Sequence, residues 1–318
     1  MSLSAKFTTH RLVMSVDYDQ LFADRTVFIT GISRSGSSIV AKIVGSLSHT
    51  LYIHEPIVVR YIPPLVETGE LDAKLASQML KGILFEDYYL QVMHGRNLNL
   101  KRAENSYFGN YDPFSAVRKR WTQFPRRNDV LEELRTNRRH TFVMKMGEVG
   151  PILPMLSQGF PGLRVIHLIR NGHEVISSTL RRGWYTDEYM NSDGTHWTQR
   201  ASVNLPWYVP EDVAEHFTRW NVETRVAYLW RTLVPSIRTC SKDSEHYMEV
   251  RYEDLIADPE AELARCEQFV GQQRTPLTMQ HVDAVRAHTL ASHENQMSKI
   301  DPEELPHFQR VMREQGYA

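Results

Sequence analysis

Residues 26 to 38 read TVFITGISRSGSS, and this run constrains the fold more than any other part of the chain. TVFIT is β-branched and aromatic, which suits a buried strand. A glycine, four residues, a second glycine and two hydroxyl residues follow, and then Ile39, Val40, Ile43, Val44 and Leu47 fall on one helical face. A glycine turn between strand and helix presents unpaired N–H groups and the positive end of the helix dipole, so it receives an anion. In the loop G-x-x-x-x-G-K-[ST] the Lys reaches the terminal phosphates and the last hydroxyl holds magnesium. Here Ser37 stands in the Lys position, and the cation is Arg34 in the middle of the loop, flanked by the hydroxyls of Ser35, Ser37 and Ser38. Magnesium-dependent nucleotide hydrolysis, or kinase chemistry, is therefore poorly supported. The string alone also suits a bare strand-to-helix turn, so the choice needs a second cluster.

The strand signal recurs in LYIH (51 to 54), TFVMK (141 to 145), LRVIHLI (163 to 169) and HYMEVRY (246 to 252), with helical stretches near 148 to 158, from Gly172 and from Pro259. Strands alternating with helices predict an α/β fold with a doubly wound, mostly parallel sheet. The glycine loop lies at the carboxyl end of its first strand, where such sheets bind ligands. Residues 56 to 140, mainly helical and polar, and 183 to 210, rich in aromatics, Asn and Pro, break the alternation and read as insertions over a binding face of one domain spanning 1 to 318.

Composition sets the outer bounds. With 37 basic and 38 acidic residues in 318, no global field draws the chain to nucleic acid or an anionic membrane, so an anion site must be local. Cys240 and Cys266 are too few for a disulfide framework, and no segment approaches the roughly 20 apolar residues that span a bilayer. The expectation is a cytoplasmic protein.

LIRNGHEVISSTLRRGW (168 to 184) puts Arg170 at a strand end and Ser178 eight residues on, about two helical turns later. Together with GISRSGSS, this pair closely resembles the two cosubstrate signatures of the sulfotransferases that use 3′-phosphoadenosine 5′-phosphosulfate. That family binds the 5′-phosphosulfate with a loop of the form RSGTT or KSGTT, and the 3′-phosphate with an Arg followed by such a Ser. The resemblance extends to MEVRYEDLIADPEAELARCEQFVG (248 to 271), where Tyr252 takes the position near the adenine. In VMKMGEVGPILPML, Lys145 takes the Lys of the family's K-T-P segment, with Met146 and Gly147 replacing Thr-Pro. The closing MSKIDPEELPHFQRVMREQGY is also similar, its Ser298, Lys299 and Ile300 standing where the family has S-x-K-W.

The resemblance implies a P-loop NTPase-like fold with helical insertions. It also implies 3′-phosphoadenosine 5′-phosphosulfate bound by Arg34, Ser35, Gly36, Ser37, Ser38, Arg170, Ser178 and Tyr252, without a metal. The acceptor expected is a hydroxyl of a carbohydrate, glycolipid or small metabolite. Arg34 and Lys145 would neutralise the leaving group, since sulfuryl transfer shares the needs of phosphoryl transfer. For the base, YIHEP (52 to 56) offers His54 and Glu55; the family's Glu-Pro pattern favours Glu55, provided its surroundings raise its basicity. Glu55 could instead cap a helix starting at Pro56. The rival functional class is a non-catalytic nucleotide-binding or regulatory protein on the same fold. His281, His288 and His293 lack the spacing of a zinc site. The Arg-rich stretch 118 to 139 suits either an anionic acceptor or a solvated face, and Trp184, Tyr185, Trp197 and Trp207 suit either sugar stacking or a satellite core.

Overall fold

Strands β1 (Thr26–Gly31), β2 (Thr50–His54), β3 (Thr141–Lys145) and β4 (Arg164–Ile169) are followed by a hairpin of β5 (Trp197–Arg200) and β6 (Val203–Pro206), and then by β7 (Tyr247–Arg251). They belong to a computed structural model that describes residues 16–95, 118–192, 197–200, 203–241, 245–287 and 296–317. His288, His293, the first fifteen residues and the middle of the 56 to 140 segment lie outside the described residues, as does the side chain of Trp197.

β2, β3, β1, β4 and β7, in that order, form one five-stranded sheet in which every neighbouring pair is parallel. All six residues of β1 are buried, the mark of a strand covered on both faces. The chain leaves β1 toward β2 and β3 on one side, then crosses to β4 and β7 on the other. The carboxyl end of β1 is thus the switch in strand order, where open parallel sheets form their ligand crevice. The first strand, glycine loop and helix read from the sequence occupy that place.

One face of the sheet is covered by the loop helix Ser37–Gly45 with helices Pro259–Val270 and Pro276–Arg286, whose Val40, Val44, Leu263 and Val282 pack on Val27, Ile29 and Ile166. The opposite face carries an aromatic cluster in which Phe22 and Tyr89 both contact Phe142, with ring centroids 5.5 and 4.9 Å away. Much of that cluster comes from residues 56 to 140: Leu80, Leu84, Phe85 and Tyr89 are fully or almost fully buried. The early part of this segment is thus a structural layer of the core, and among its described residues Arg60 reaches the site. Its polar composition reflects the outer helix faces, while apolar residues three to four apart face the sheet. The helix Val222–Ser241 buries Trp230 against Phe308 of the closing helix Leu305–Glu314, at 5.7 Å between rings.

Candidate active site

The loop after β1 is held by close backbone approaches. A Cβ on Gly31 would lie 2.5 Å from the carbonyl oxygen of Leu168, and one on Gly36 would lie 2.6 Å from the ring of Tyr252. Gly36, at φ 95°, sits immediately before the helix Ser37–Gly45. Arg34 also adopts a left-handed backbone, at φ 73°. Ser35 is fully buried, and its hydroxyl has no hydrogen-bond partner among the described residues. A buried unpaired hydroxyl costs about 1–3 kcal/mol. An anionic oxygen bound in this loop would remove that cost, so the loop residues fit a phosphate-bearing ligand.

The second cluster closes onto the first. β4 runs parallel beside β1 and delivers Arg170 at its end, while the helix Gly172–Leu180 brings Ser178 back over the loop. Arg34 Nε donates to Ser178 Oγ at 3.1 Å, and Arg170 Nη1 donates to the Arg34 carbonyl at 3.2 Å. Arg170 also donates to Glu174 Oε2 at 2.7 Å and lies over the Tyr252 ring, 4.0 Å from its centroid. Arg34, Ser35, Gly36, Arg170, Ser178 and Tyr252, read from three distant stretches of sequence, are therefore neighbours. Tyr252 contributes a ring wedged between Gly36 and Arg170.

The remaining named residues lie on the other side of the loop. In register, His54 of β2 is opposite Lys145 of β3. Their side chains diverge. His54 Nδ1 shares a proton with the Tyr52 hydroxyl at 2.9 Å. Lys145, buried, donates to Glu55 Oε1, and Arg60 Nη2 donates to Glu55 Oε2 at 2.9 Å. Burial alone would raise the Glu55 carboxyl, but Lys145, with His54 and Arg60 adding to it, holds it below the usual carboxylate range. The condition attached to Glu55 as a base, surroundings that raise its basicity, is thus reversed by two cations that the sequence did not show beside it.

A cavity of about 210 Å³ opens next to the loop, lined by Ser33, Glu55, Arg60, Glu148 and a wall of aromatics that includes Trp184 and Tyr189. Trp207, Tyr185 and Tyr208 complete the wall, and the hydroxyls of the last two are 2.7 Å apart. Arg34 lies over Trp184, 5.5 Å from its ring centroid, so the loop cation and the cavity share a boundary. Segment 183 to 210 therefore supplies cavity wall, with Tyr185 and Trp207 also packed into the core clusters. Sequence reasoning missed Glu148 and Arg60. The signal for Glu148 was its place three residues beyond Lys145, in the stretch where the family's Thr-Pro is replaced.

The family of sulfotransferases has a sequence profile that matches residues 26–276, most of the chain. The chain belongs to the sulfotransferase family. It is therefore an enzyme, and its family uses 3′-phosphoadenosine 5′-phosphosulfate. Among solved structures, a sulfotransferase domain from the Synechococcus PCC 7002 olefin synthase is 16% identical, with 92% of this chain and 94% of that one covered and a TM-score of 0.46. A sulfotransferase from Alicyclobacillus acidocaldarius is 12% identical over 92% and 96%, with a TM-score of 0.45. No curated protein sequence matches the chain. Arg34 and Arg170 lie on one side of the glycine loop and the aromatic cavity on the other. No helix among the described residues is long and apolar enough to cross a membrane.

Proposed function

We propose that this sulfotransferase moves the sulfuryl group of 3′-phosphoadenosine 5′-phosphosulfate to a hydroxyl of a small or sugar-like acceptor held in the aromatic cavity. The observation that carries the reading is the convergence of Arg34, Arg170, Ser178 and Tyr252 on one glycine loop. Arg34 and the loop N–H groups bind the 5′-phosphosulfate, Arg170 and Ser178 bind the 3′-phosphate, and Tyr252 borders the base. Lys145 lies on the acceptor side of the loop, where it can leave Glu55 and offset charge growing on the bridging oxygen.

A hydroxyl acceptor suits the cavity. Flat aromatic walls take a sugar face or a phenyl ring, and carboxylates at its base accept hydrogen bonds from hydroxyls. Radiolabelled cosubstrate incubated with pools of monosaccharides, glycolipids, phenols and aliphatic alcohols tests the reading. Label should pass to at least one hydroxyl class and depend on an intact Arg34. A protein that binds adenosine 3′,5′-bisphosphate yet transfers to none of these pools would instead be the regulatory binder.

A further inference from the structure

The geometry points to Glu148 as the catalytic base that takes the proton of the acceptor hydroxyl, with Glu55 as the carboxylate that positions Lys145. This rests on the sulfuryl-transfer reading above and assigns one of its steps to a residue outside the family-derived set.

Three observations converge on Glu148. The chain beyond β3 keeps pairing with β1, through Met146 N to the Ile29 carbonyl at 2.9 Å and Glu148 N to the Gly31 carbonyl at 3.2 Å. This carries Glu148 past the sheet edge to the start of the glycine loop, where its Oε1 accepts the Ser33 N–H at 2.6 Å. Second, the side chain lines the aromatic cavity beside Glu55. Third, Glu148 holds a left-handed backbone at φ 58°. Five non-glycine residues among those described have such a φ, and four of them, Arg34, Glu55, Glu148 and Tyr185, surround this one site. Such conformations are strained and persist where the surrounding structure imposes them.

The two carboxylates have opposite surroundings. Glu55 is clamped by Lys145 and Arg60 and held below the usual range. Burial pushes Glu148 up; the Ser33 hydrogen bond and Lys145 offset this in part, and Glu55 adds to it. Lys145, Glu55 and, across the cavity, Arg60, Tyr185, Tyr189 and Tyr208 are the titratable groups that face it. A pair of carboxyls driven apart in this way divides into a permanently ionised member and a proton-exchanging member. In the step assigned here, the acceptor O–H bond breaks with its proton passing to a Glu148 oxygen. The acceptor oxygen bonds to sulfur as the bond from sulfur to the bridging phosphate oxygen breaks. That oxygen keeps the electron pair, its charge met by Arg34 and Lys145. Glu148 afterwards releases the proton to water.

The test compares two acceptors of the same shape, phenol and 4-nitrophenol, using radiolabelled 3′-phosphoadenosine 5′-phosphosulfate. Nitrophenol is largely ionised at mildly alkaline pH and has little need of a base. Glu148→Gln should lose on the order of a hundredfold in kcat with phenol, far less with 4-nitrophenol, and should bind adenosine 3′,5′-bisphosphate within about twofold of wild type. In wild type, the acid limb of kcat with phenol should lie at a higher pH than an ordinary carboxylate gives; it should vanish in Glu148→Gln and survive in Glu148→Asp. Equal losses with both acceptors, or a matching loss of bisphosphate binding, would make Glu148 a strut for the Ser33 turn and overturn the assignment. So would loss of the acid limb in Glu55→Gln with its retention in Glu148→Gln. A wild-type protein that binds no adenosine 3′,5′-bisphosphate sinks the cosubstrate reading itself, an outcome visible before any variant is made.

Discussion

Arg34 combines a left-handed backbone with a side chain shared between Ser178 and the Trp184 face, so contacts within the protein fix where its guanidinium lies. Arg34→Ala deletes the loop cation but leaves the backbone N–H groups and the helix end. Cosubstrate binding should weaken roughly tenfold to a hundredfold, the value of about one charged hydrogen bond, and kcat should fall further still. Unchanged steady-state kinetics would remove Arg34 from the mechanism. Arg170 and Ser178 make a separate claim. Adenosine 3′,5′-bisphosphate should bind more tightly than adenosine 5′-monophosphate by about 1.5–3 kcal/mol per charged hydrogen bond to the 3′-phosphate. Calorimetry giving equal affinities would break that assignment. At the neighbouring pair, Glu55→Gln removes the ion that holds Lys145, so transfer should drop with both activated and unactivated acceptors. His54→Asn, which touches the Tyr52 side, should be mild.

The strand, loop and helix form one element-scale device, and glycine is its least replaceable part. Gly36 lies at φ 95° with the Tyr252 ring in the space a side chain would occupy. Gly36→Ala must either shift that ring or distort the loop. It should destabilise the fold by about 1–3 kcal/mol, measured by urea unfolding, and should weaken adenosine 3′,5′-bisphosphate binding at the same time. Full affinity in that variant would show that the close packing of loop and ring is dispensable. The strands of this region were legible because their signals are local: TVFIT, TFVMK and LRVIHLI are short apolar runs, and each appears within one residue of its predicted limits. The helix Val222–Ser241 was not singled out, because its apolar residues are interrupted by Thr, Arg and Pro235 and its burial is decided by the closing helix.

At the scale of the whole molecule, β4 places His167 inside the sheet between β1 and β7, completely buried, with Nδ1 2.8 Å from the Tyr247 hydroxyl. Burial, with Arg238 adding to it, depresses its pKa to about 3. A histidine whose folded pKa lies below its ordinary 6.5 contributes stability that is complete above 6.5 and is lost as pH falls toward 3. That contribution is on the order of 5 kcal/mol. Unfolding free energy should therefore decline through this window, and His167→Gln should flatten the decline; an unchanged slope would mean that the acid sensitivity lies elsewhere. Ligand linkage gives an independent check, since adenosine 3′,5′-bisphosphate at a hundred times its Kd should stabilise the protein by about 2.7 kcal/mol and raise Tm.

The sequence by itself determined the parallel α/β architecture and the glycine loop with its displaced cation, because each is carried by local spacing; the resemblance grouped Arg34, Arg170, Ser178 and Tyr252 from three separate stretches. Tertiary structure decided what lies beside Glu55. Arg60 arrives from the following helix and Lys145 from the adjacent strand, and both donate to the Glu55 carboxylate. Tertiary structure likewise turned a stretch of polar helices into one layer of the hydrophobic core, and brought Glu148 against Ser33 across 115 residues of chain. Proton affinity and burial depend on neighbours in space, and a parallel sheet draws those neighbours from strands that are far apart in the sequence.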